Sequence, residues 1–137
     1  MIYPDTSALV PLFKVDRYSE ASRIAMSEAA PIAISDFAVA ELSAALAASA
    51  RNYEMSADKF EALLARIDGW VAAGTQWIVT DPADIRAATG FVRRVDLGLR
   101  APDALHLAIC ARVGATLLTF DDRQAAAART LRVRLAA

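Results

Sequence analysis

Short apolar segments alternate with longer segments of helical periodicity along the whole chain, and this alternation most constrains the fold. The apolar segments predict strands at 1–5, 31–35, 76–80 and 116–120, and residues 131–135 allow a fifth. The segments between them predict helices at about 18–29, 35–51, 56–74, 82–95 and 102–114, followed by a short alanine-rich helix. Strands that alternate with helices are typical of an α/β fold with a mainly parallel sheet. We therefore predict one α/β domain, residues 1–137, with a four- to five-stranded sheet.

Composition narrows the class of protein. The chain has 137 residues, of which 56% are hydrophobic and 23% charged, as expected for a globular domain with a real core. No apolar stretch reaches the roughly 18 residues of a membrane span, and no signal peptide is visible. The lone Cys110 cannot form an internal disulfide and is expected to be a buried thiol. We expect an intracellular, cytoplasmic protein.

The net charge of −1 argues against a strongly basic nucleic-acid coat protein. It leaves room for a nucleic-acid enzyme, because the acids of a metal site offset basic residues elsewhere in the total.

Two local features of the N-terminal segment bear on the fold. Pro4 lies inside the first predicted strand, where it has no N–H for the sheet, so we expect it at the last paired position. Between that strand and the helix predicted from about residue 18, the sequence predicts at most a short turn.

Four acids fall where strands end or helices begin. Asp5 ends the first strand, Glu41 lies in the second turn of the helix after the second strand, and Asp121 follows the fourth strand. Asp103 lies in the first turn of the helix that opens at Pro102. In a parallel α/β sheet, the carboxyl ends of strands and the amino ends of helices share one edge, where ligands bind. The sequence thus predicts that four carboxylates converge there.

Four converging carboxylates repel one another, and no basic residue is obviously shared among them. Mg²⁺ or Mn²⁺ would balance this charge, since such hard cations prefer oxygen ligands and often meet substrate phosphates. Zinc and copper sites usually need several histidine or cysteine ligands, and the chain has only one of each. One cation or a pair of them can activate a water for in-line attack, so the arrangement favours phosphodiester hydrolysis.

Each of these residues also has a simpler interpretation. Asp5 and Asp103 could serve only as a helix cap and a first-turn acid. Asp121 and Asp122 are alternatives for the fourth acid, because one of them could cap the final helix. His106, three residues after Asp103, shares a helix face with apolar residues and is predicted to be packed rather than catalytic.

Three segments, MIYPDTSALV, AVAELSAALA and RAPDALHLAICARVGATLLTFDDR, resemble the PIN-domain family and specifically its VapC-type toxins. The resemblance implies a three-layer α/β/α fold and a Mg²⁺- or Mn²⁺-dependent endoribonuclease that hydrolyses RNA phosphodiester bonds with metal-activated water. It further implies a homodimer and a cognate VapB-type antitoxin as partner. Two departures from the family pattern are Pro4, in place of an aliphatic residue, and Asp122, where a basic residue is common.

The resemblance also assigns roles by position. The matched acids are Asp5, Glu41, Asp103 and Asp121. Asp5 and Asp103 would hold the metal directly, and the other two directly or through water. Thr6 is expected to orient Asp5 or a metal-bound water, and Thr119 to act similarly near Asp121.

Substrate contacts and rival functions stay open in the sequence. Arg100 and Arg123 lie near the acids and could bind an RNA phosphate, although structural ion pairs are equally consistent. A PIN scaffold without catalysis would act as a protein-binding module. A Mg²⁺-binding phosphoaspartate switch domain would use Asp5 and Asp81, but it needs adjacent acids after the first strand and a late lysine, which are missing. A haloacid-dehalogenase-like phosphatase would need an aspartate where Ser7 stands.

Overall fold

The computed structural model describes residues 1–27 and 30–136, which form a parallel sheet with helices on both faces. The strands are β1 (Ile2–Pro4), β2 (Ile32–Ser35), β3 (Thr75–Ile78) and β4 (Thr116–Leu118). The helices are α1 (Thr6–Phe13), α2 (Ser19–Ser27), α3 (Asp36–Asn52), α4 (Ala57–Gly74), α5 (Pro82–Arg93), α6 (Ala101–Val113) and α7 (Asp122–Leu131). Val95–Leu97 forms a short 3₁₀ turn.

The strand order is β3-β2-β1-β4, and every pairing is parallel. Neighbouring residues on one strand point to opposite faces of a sheet. Ile2 of β1 packs with Ala8 and Leu118 in one small cluster, while Tyr3 belongs to the large core on the other face. Both faces of the sheet are therefore covered, which confirms the predicted three-layer α/β/α architecture.

The structure confirms the expected place of Pro4 as the last residue of β1, in register with Leu118. The next residue, Asp5, resumes the ladder by donating its N–H to the Leu118 carbonyl at 3.0 Å. The missing donor of Pro4 thus falls at the end of the strand, where it disturbs the sheet least.

The turn predicted after β1 was wrong, because residues 6–13 form the helix α1. Pro11 lies inside this helix, and a proline there removes one backbone donor and usually breaks a helix. Packing outweighs that penalty, since Ala8, Leu9 and Pro11 are all buried. Asp5 caps the helix by accepting a hydrogen bond from the Ala8 N–H.

The fifth strand, allowed at 131–135, is not formed. Helix α7 continues to Leu131 and ends at Arg132, whose φ of 58° is left-handed. Beyond it, Leu135 makes one isolated parallel bridge to Leu117 on β4. The segment runs alongside the edge of the sheet without forming a regular strand.

Two expectations from composition can be compared with the structure. Cys110 is a free, fully buried thiol, as predicted, and burial raises its pKa to about 12. Within residues 1–27 and 30–136, none of the helices combines the length and the hydropathy that a bilayer crossing requires.

Candidate functional site

The four predicted acids line one cleft at the carboxyl edge of the sheet. The cleft has a volume of about 210 Å³ and is lined by Asp5, Thr6, Ser7, Glu41, Arg100, Asp103, His106, Asp121 and Gln124. These residues come from the ends of β1 and β4 and from helices α1, α3, α6 and α7. The convergence predicted from strand and helix ends is present in the structure.

Asp5 caps a helix and also lines the cleft. Its side chain is 3% exposed. One oxygen, Oδ1, accepts from the Ser7 hydroxyl at 2.6 Å and from the Ala8 N–H at 3.0 Å. The other, Oδ2, accepts from the Thr119 hydroxyl at 2.6 Å. Burial raises the pKa of Asp5, and these hydrogen bonds only partly oppose that rise.

Glu41 is held by two donors at the same oxygen. Its Oε2 accepts a hydrogen bond from the Thr6 hydroxyl and lies 2.7 Å from Nε2 of His106. Partial burial alone would raise the pKa of Glu41, but the hydrogen bonds from His106 and Thr6 hold it below its ordinary value. Glu41 is therefore a carboxylate at neutral pH.

Of the two roles predicted for Thr6, the contact with Asp5 is not formed, and the role toward a metal-bound water stays a prediction. Its hydroxyl bonds Glu41, whereas Asp5 is bonded by the neighbouring Ser7 and by Thr119. The geometry of the first turn of α1 explains why Ser7, and not Thr6, bonds Asp5. Successive side chains of a helix point in different directions, and that of Ser7 points back to Asp5.

Arg100 is shared by two acids, contrary to the expectation that no basic residue would be. Its Nε donates to Oδ2 of Asp103 at 3.2 Å, and its Nη2 lies 4.0 Å from Oδ2 of Asp121. The side chain is 71% exposed, so these ion pairs are weak and easily exchanged. Arg123 is exposed and forms no ion pair or side-chain hydrogen bond within the described residues.

Asp121, rather than Asp122, lines the cleft. Asp121 also caps α7 by accepting from the Gln124 N–H at 2.9 Å, while Asp122 is exposed in the first turn of that helix. The hydroxyl oxygen of Thr119 accepts from the Asp121 N–H at 3.0 Å, and the orienting role expected of Thr119 near Asp121 stays a prediction. Because the same hydroxyl donates to Asp5, Thr119 connects the first and fourth acids.

The sequence did not single out Gln124 as part of the site. This buried side chain donates from Nε2 to the Asp103 carbonyl at 3.2 Å, and its Oε1 lies 3.1 Å from Oγ1 of Thr119. A polar residue three positions after a capping aspartate, in an otherwise alanine-rich helix, was the one signal available. Gln124 holds the start of α6 against the end of β4.

His106 is buried, as the packing interpretation predicted, with 2% exposure and its ring centroid 4.9 Å from that of Phe37. The interpretation missed its polar contacts, since both ring nitrogens have partners. Nδ1 lies 2.9 Å from the hydroxyl of Tyr3, and Nε2 contacts Glu41.

The donor set fits a hard cation, although the acids do not form a ready cage. Within the described parts of the chain, no three His, Cys, Asp or Glu side chains lie close enough to bind one metal ion. Mg²⁺ usually keeps several waters and takes only one or two carboxylates, so a closed cage is not required. Oδ1 of Asp103 and Oε1 of Glu41 have no hydrogen-bond partner among the described residues, which leaves one oxygen of each available to a ligand.

Together, the fold and the cleft define an α/β protein whose carboxylate-lined site lies at the carboxyl edge of a parallel sheet. The PIN domain family model matches residues 2–130, and the chain belongs to the PIN domain family. No curated protein sequence matches the chain at a significant level.

Solved structures show the same fold at low sequence identity. VapC20 of Mycobacterium tuberculosis, described as a toxin that cleaves the sarcin–ricin loop, is 18% identical, with a TM-score of 0.74 over 93% of this chain and 95% of that one. FitAcB of Neisseria gonorrhoeae is 17% identical, with a TM-score of 0.74 over 98% and 96%. VapBC2 of Rickettsia felis, bound to promoter DNA, is 20% identical, with a TM-score of 0.63 over 88% of each chain.

Proposed function

We propose that this protein is a metal-dependent endoribonuclease toxin of the VapBC type, which hydrolyses RNA phosphodiester bonds. The observation that carries the proposal is the cleft in which four carboxylates from distant segments of a PIN domain meet. Such a group of acids has little structural purpose at one solvent-open edge unless a cation offsets its charge.

The cation would be Mg²⁺ or Mn²⁺, held by Asp5 and Asp103, with Glu41 and Asp121 binding directly or through water. When bound, it would supply an activated water and stabilise charge on the phosphate. The chain's own hydrogen bonds hold the carboxylates for this purpose: Thr119 fixes Asp5, and Gln124 fixes the backbone of Asp103.

Two arginines are proposed to bind the RNA backbone. Arg100 and Arg123 are both exposed, and the weak pairing of Arg100 with Asp103 and Asp121 can be exchanged for a phosphate oxygen when a cation neutralises those acids. Guanidinium groups suit such contacts because they present two parallel donors.

An antitoxin is the proposed partner. Structural neighbours include VapBC2 bound to promoter DNA, FitAcB, and a toxin–antitoxin complex from Klebsiella pneumoniae, which is 21% identical with a TM-score of 0.57. We propose that this chain forms a homodimer, acts in the cytoplasm and is silenced by a cognate VapB-type antitoxin.

Cleavage of total RNA by the purified protein tests the proposal, with Mg²⁺ or Mn²⁺ and with EDTA. We expect discrete RNA fragments that form only in the presence of the metal. The rate of cleavage by Asp5→Asn should be at least about 100-fold lower than that of the wild type, as for loss of a group that stabilises transition-state charge. Asp122→Asn is the matched control, because this exposed aspartate lies outside the cleft. The variant should cleave RNA at the wild-type rate. Equal cleavage by the Asp5→Asn variant, or cleavage that persists in EDTA, would contradict the assignment.

A catalytically silent PIN scaffold is the second candidate. The lack of a ready three-ligand metal cage in the described residues, together with the weak ion pairs of Arg100 with Asp103 and Asp121, favours it. This candidate predicts antitoxin binding with no metal-dependent cleavage. The geometry speaks against a phosphoaspartate switch, since Asp81 caps α5 at the end of the edge strand β3 and does not line the cleft that contains Asp5.

A further inference from the structure

A chain of hydrogen bonds runs beneath the cleft and ends on Glu41. Oγ of Ser35 lies 2.8 Å from the hydroxyl of Tyr3, and that hydroxyl lies 2.9 Å from Nδ1 of His106. On the other side of the ring, Nε2 lies 2.7 Å from Oε2 of Glu41. Four elements, β1, β2, α6 and α3, contribute one residue each. Glu41 and His106 line the cleft, whereas Tyr3 and Ser35 lie behind them.

The Glu41 end sets the direction of the chain. A carboxylate can only accept hydrogen bonds, so Nε2 of His106 must carry the hydrogen in this contact. In the neutral ring with its hydrogen on Nε2, the second nitrogen, Nδ1, is an acceptor. Nδ1 therefore needs a donor, and the hydroxyl of Tyr3 is the group that lies within reach.

The Ser35 end is consistent with the same direction. Burial raises the pKa of Tyr3 far above its ordinary value, so the phenol keeps its hydrogen. Oγ of Ser35 caps α3 by accepting from the Ala38 N–H at 3.0 Å, which leaves the hydroxyl hydrogen of Ser35 free to donate to Tyr3. No buried side-chain nitrogen or oxygen in the described residues is left without a hydrogen-bond partner, and this includes the polar atoms of Ser35, Tyr3 and His106.

We propose that Tyr3, supported by Ser35, acts together with Glu41 to fix His106 in the tautomer with hydrogen on Nε2, and that His106 in this form orients Glu41 toward the cleft. Tyr3 and His106 are then positioning residues, whose proposed action is on the side chain of Glu41. The proposal deepens the proposed function and rests on it for the role of Glu41. Hydrogen bonds of this kind fix the side chains that bind metals and are a large part of how such sites are tuned.

The sequence offers a direct measurement of the tautomer, because His106 is the single histidine of the chain. In protein labelled with ¹⁵N-histidine, long-range ¹H–¹⁵N correlation spectra contain one imidazole ring and need no assignment. At neutral pH we expect a protonated Nε2 and an unprotonated Nδ1. The opposite tautomer, averaged shifts of the two nitrogens, or a doubly protonated ring would each overturn the proposal.

Removing one hydroxyl tests whether Tyr3 sets the tautomer. Tyr3→Phe keeps the buried ring and deletes the donor to Nδ1, so the two ¹⁵N shifts should move toward each other as the second tautomer becomes populated. Tyr53→Phe makes the same chemical change on an exposed ring and should leave both shifts in place. Unchanged shifts in Tyr3→Phe would show that Tyr3 does not select the tautomer.

A matched pair of substitutions tests the step from His106 to Glu41. The amide of Gln reaches about as far as Nε2 and can donate to Glu41, whereas the shorter amide of Asn reaches only as far as Nδ1. We expect Mn²⁺ to bind His106→Asn at least about tenfold more weakly than the wild type, and His106→Gln nearly as well. Equal losses in the two variants would contradict the orienting role, and the melting temperature of each variant shows whether it is folded.

The two proposals fail in different ways. If the wild-type protein binds no Mn²⁺ and cleaves no RNA, the proposed function is wrong, while the ¹⁵N spectra of the wild type and Tyr3→Phe still decide the tautomer. If the metal binds and RNA is cut but the ring is not in the expected form, only the present proposal is wrong.

Discussion

Two buried aspartates, Asp5 and Asp84, lie near the beginnings of helices but have opposite surroundings. Asp84 is 1% exposed, and both of its oxygens accept from Arg112, at 2.7 and 2.9 Å. Asp5 is 3% exposed and accepts only from two hydroxyls and one backbone N–H, with no ion pair in the described part of the chain. Among the residues that the structure describes, a guanidinium pairs with Asp84 and no cationic side chain pairs with Asp5.

The difference separates a structural acid, Asp84, from the acid that we propose binds a cation, Asp5. A buried charge without a partner destabilises the fold, and such a cost usually persists only where function needs it. Because the pKa of Asp5 is raised in the folded protein, the fold disfavours the ionised carboxylate, and this residue's contribution to the free energy of unfolding falls as the pH rises above the pKa of the unfolded side chain. A bound cation would remove that cost.

Arg112→Gln should change the free energy of unfolding more than any other substitution considered for the two aspartates. It leaves Asp84 buried without its countercharge, and we expect the free energy of unfolding to fall by about 2–4 kcal/mol. In contrast, Asp5→Asn should leave that free energy unchanged or raise it, since it removes a carboxyl whose ionised form the fold disfavours. Urea denaturation at neutral pH measures both, and a loss of equal size in the two variants would contradict the contrast.

Addition of the cation should give a smaller effect. At Mg²⁺ or Mn²⁺ concentrations about 10–100 times the dissociation constant, binding to the folded state adds roughly 1.4–2.7 kcal/mol of stability. We expect thermal unfolding of the wild type to shift upward with added metal, and that of Asp5→Asn to shift much less. Arg112→Gln is the control, because its destabilised fold should still respond to the metal; a wild type that does not respond would contradict a site at Asp5.

The smallest change in stability should come from Arg100→Gln. The ion pairs of this exposed side chain with Asp103 and Asp121 should contribute no more than about 0.5 kcal/mol. Loss of the positive charge should nevertheless tighten Mn²⁺ binding and weaken RNA binding, which titration calorimetry and a filter-binding assay measure separately. A large drop in stability would show that Arg100 is instead a structural residue.

Much of the site's location follows from the order of elements in the sequence. The carboxyl ends of β1 and β4 and the early turns of α3 and α6 had to meet at one edge, so the four acids could be predicted to converge. Residue contacts within the cleft could not be predicted this way. That Ser7 rather than Thr6 bonds Asp5 depends on the direction in which α1 begins. The sequence did not predict this helix, because Pro11 lies inside it.

Contacts made by long or buried polar side chains also could not be predicted from the sequence. Arg100 reaches two acids because its flexible stem allows it, and nothing in residue spacing indicates the second. His106 looked like a packed residue because its apolar neighbours dominate the pattern, while its polar partners, Tyr3 and Glu41, lie far away in the chain. Such pairings appear only once the sheet has brought β1, α3 and α6 together.

The single bridge between Leu135 and Leu117 has a consequence for how the protein avoids association. An open strand edge invites another chain to add a strand. On the β4 side, Leu117 donates its N–H to the Arg134 carbonyl and accepts from the Ala136 N–H, each at 2.8 Å, so its outward-facing groups are already used. The opposite edge, β3, has no such cover in the described residues, and its Trp77 is 53% exposed. The aggregation risk of this sheet is therefore concentrated at β3, and the segment after α7 protects the other edge.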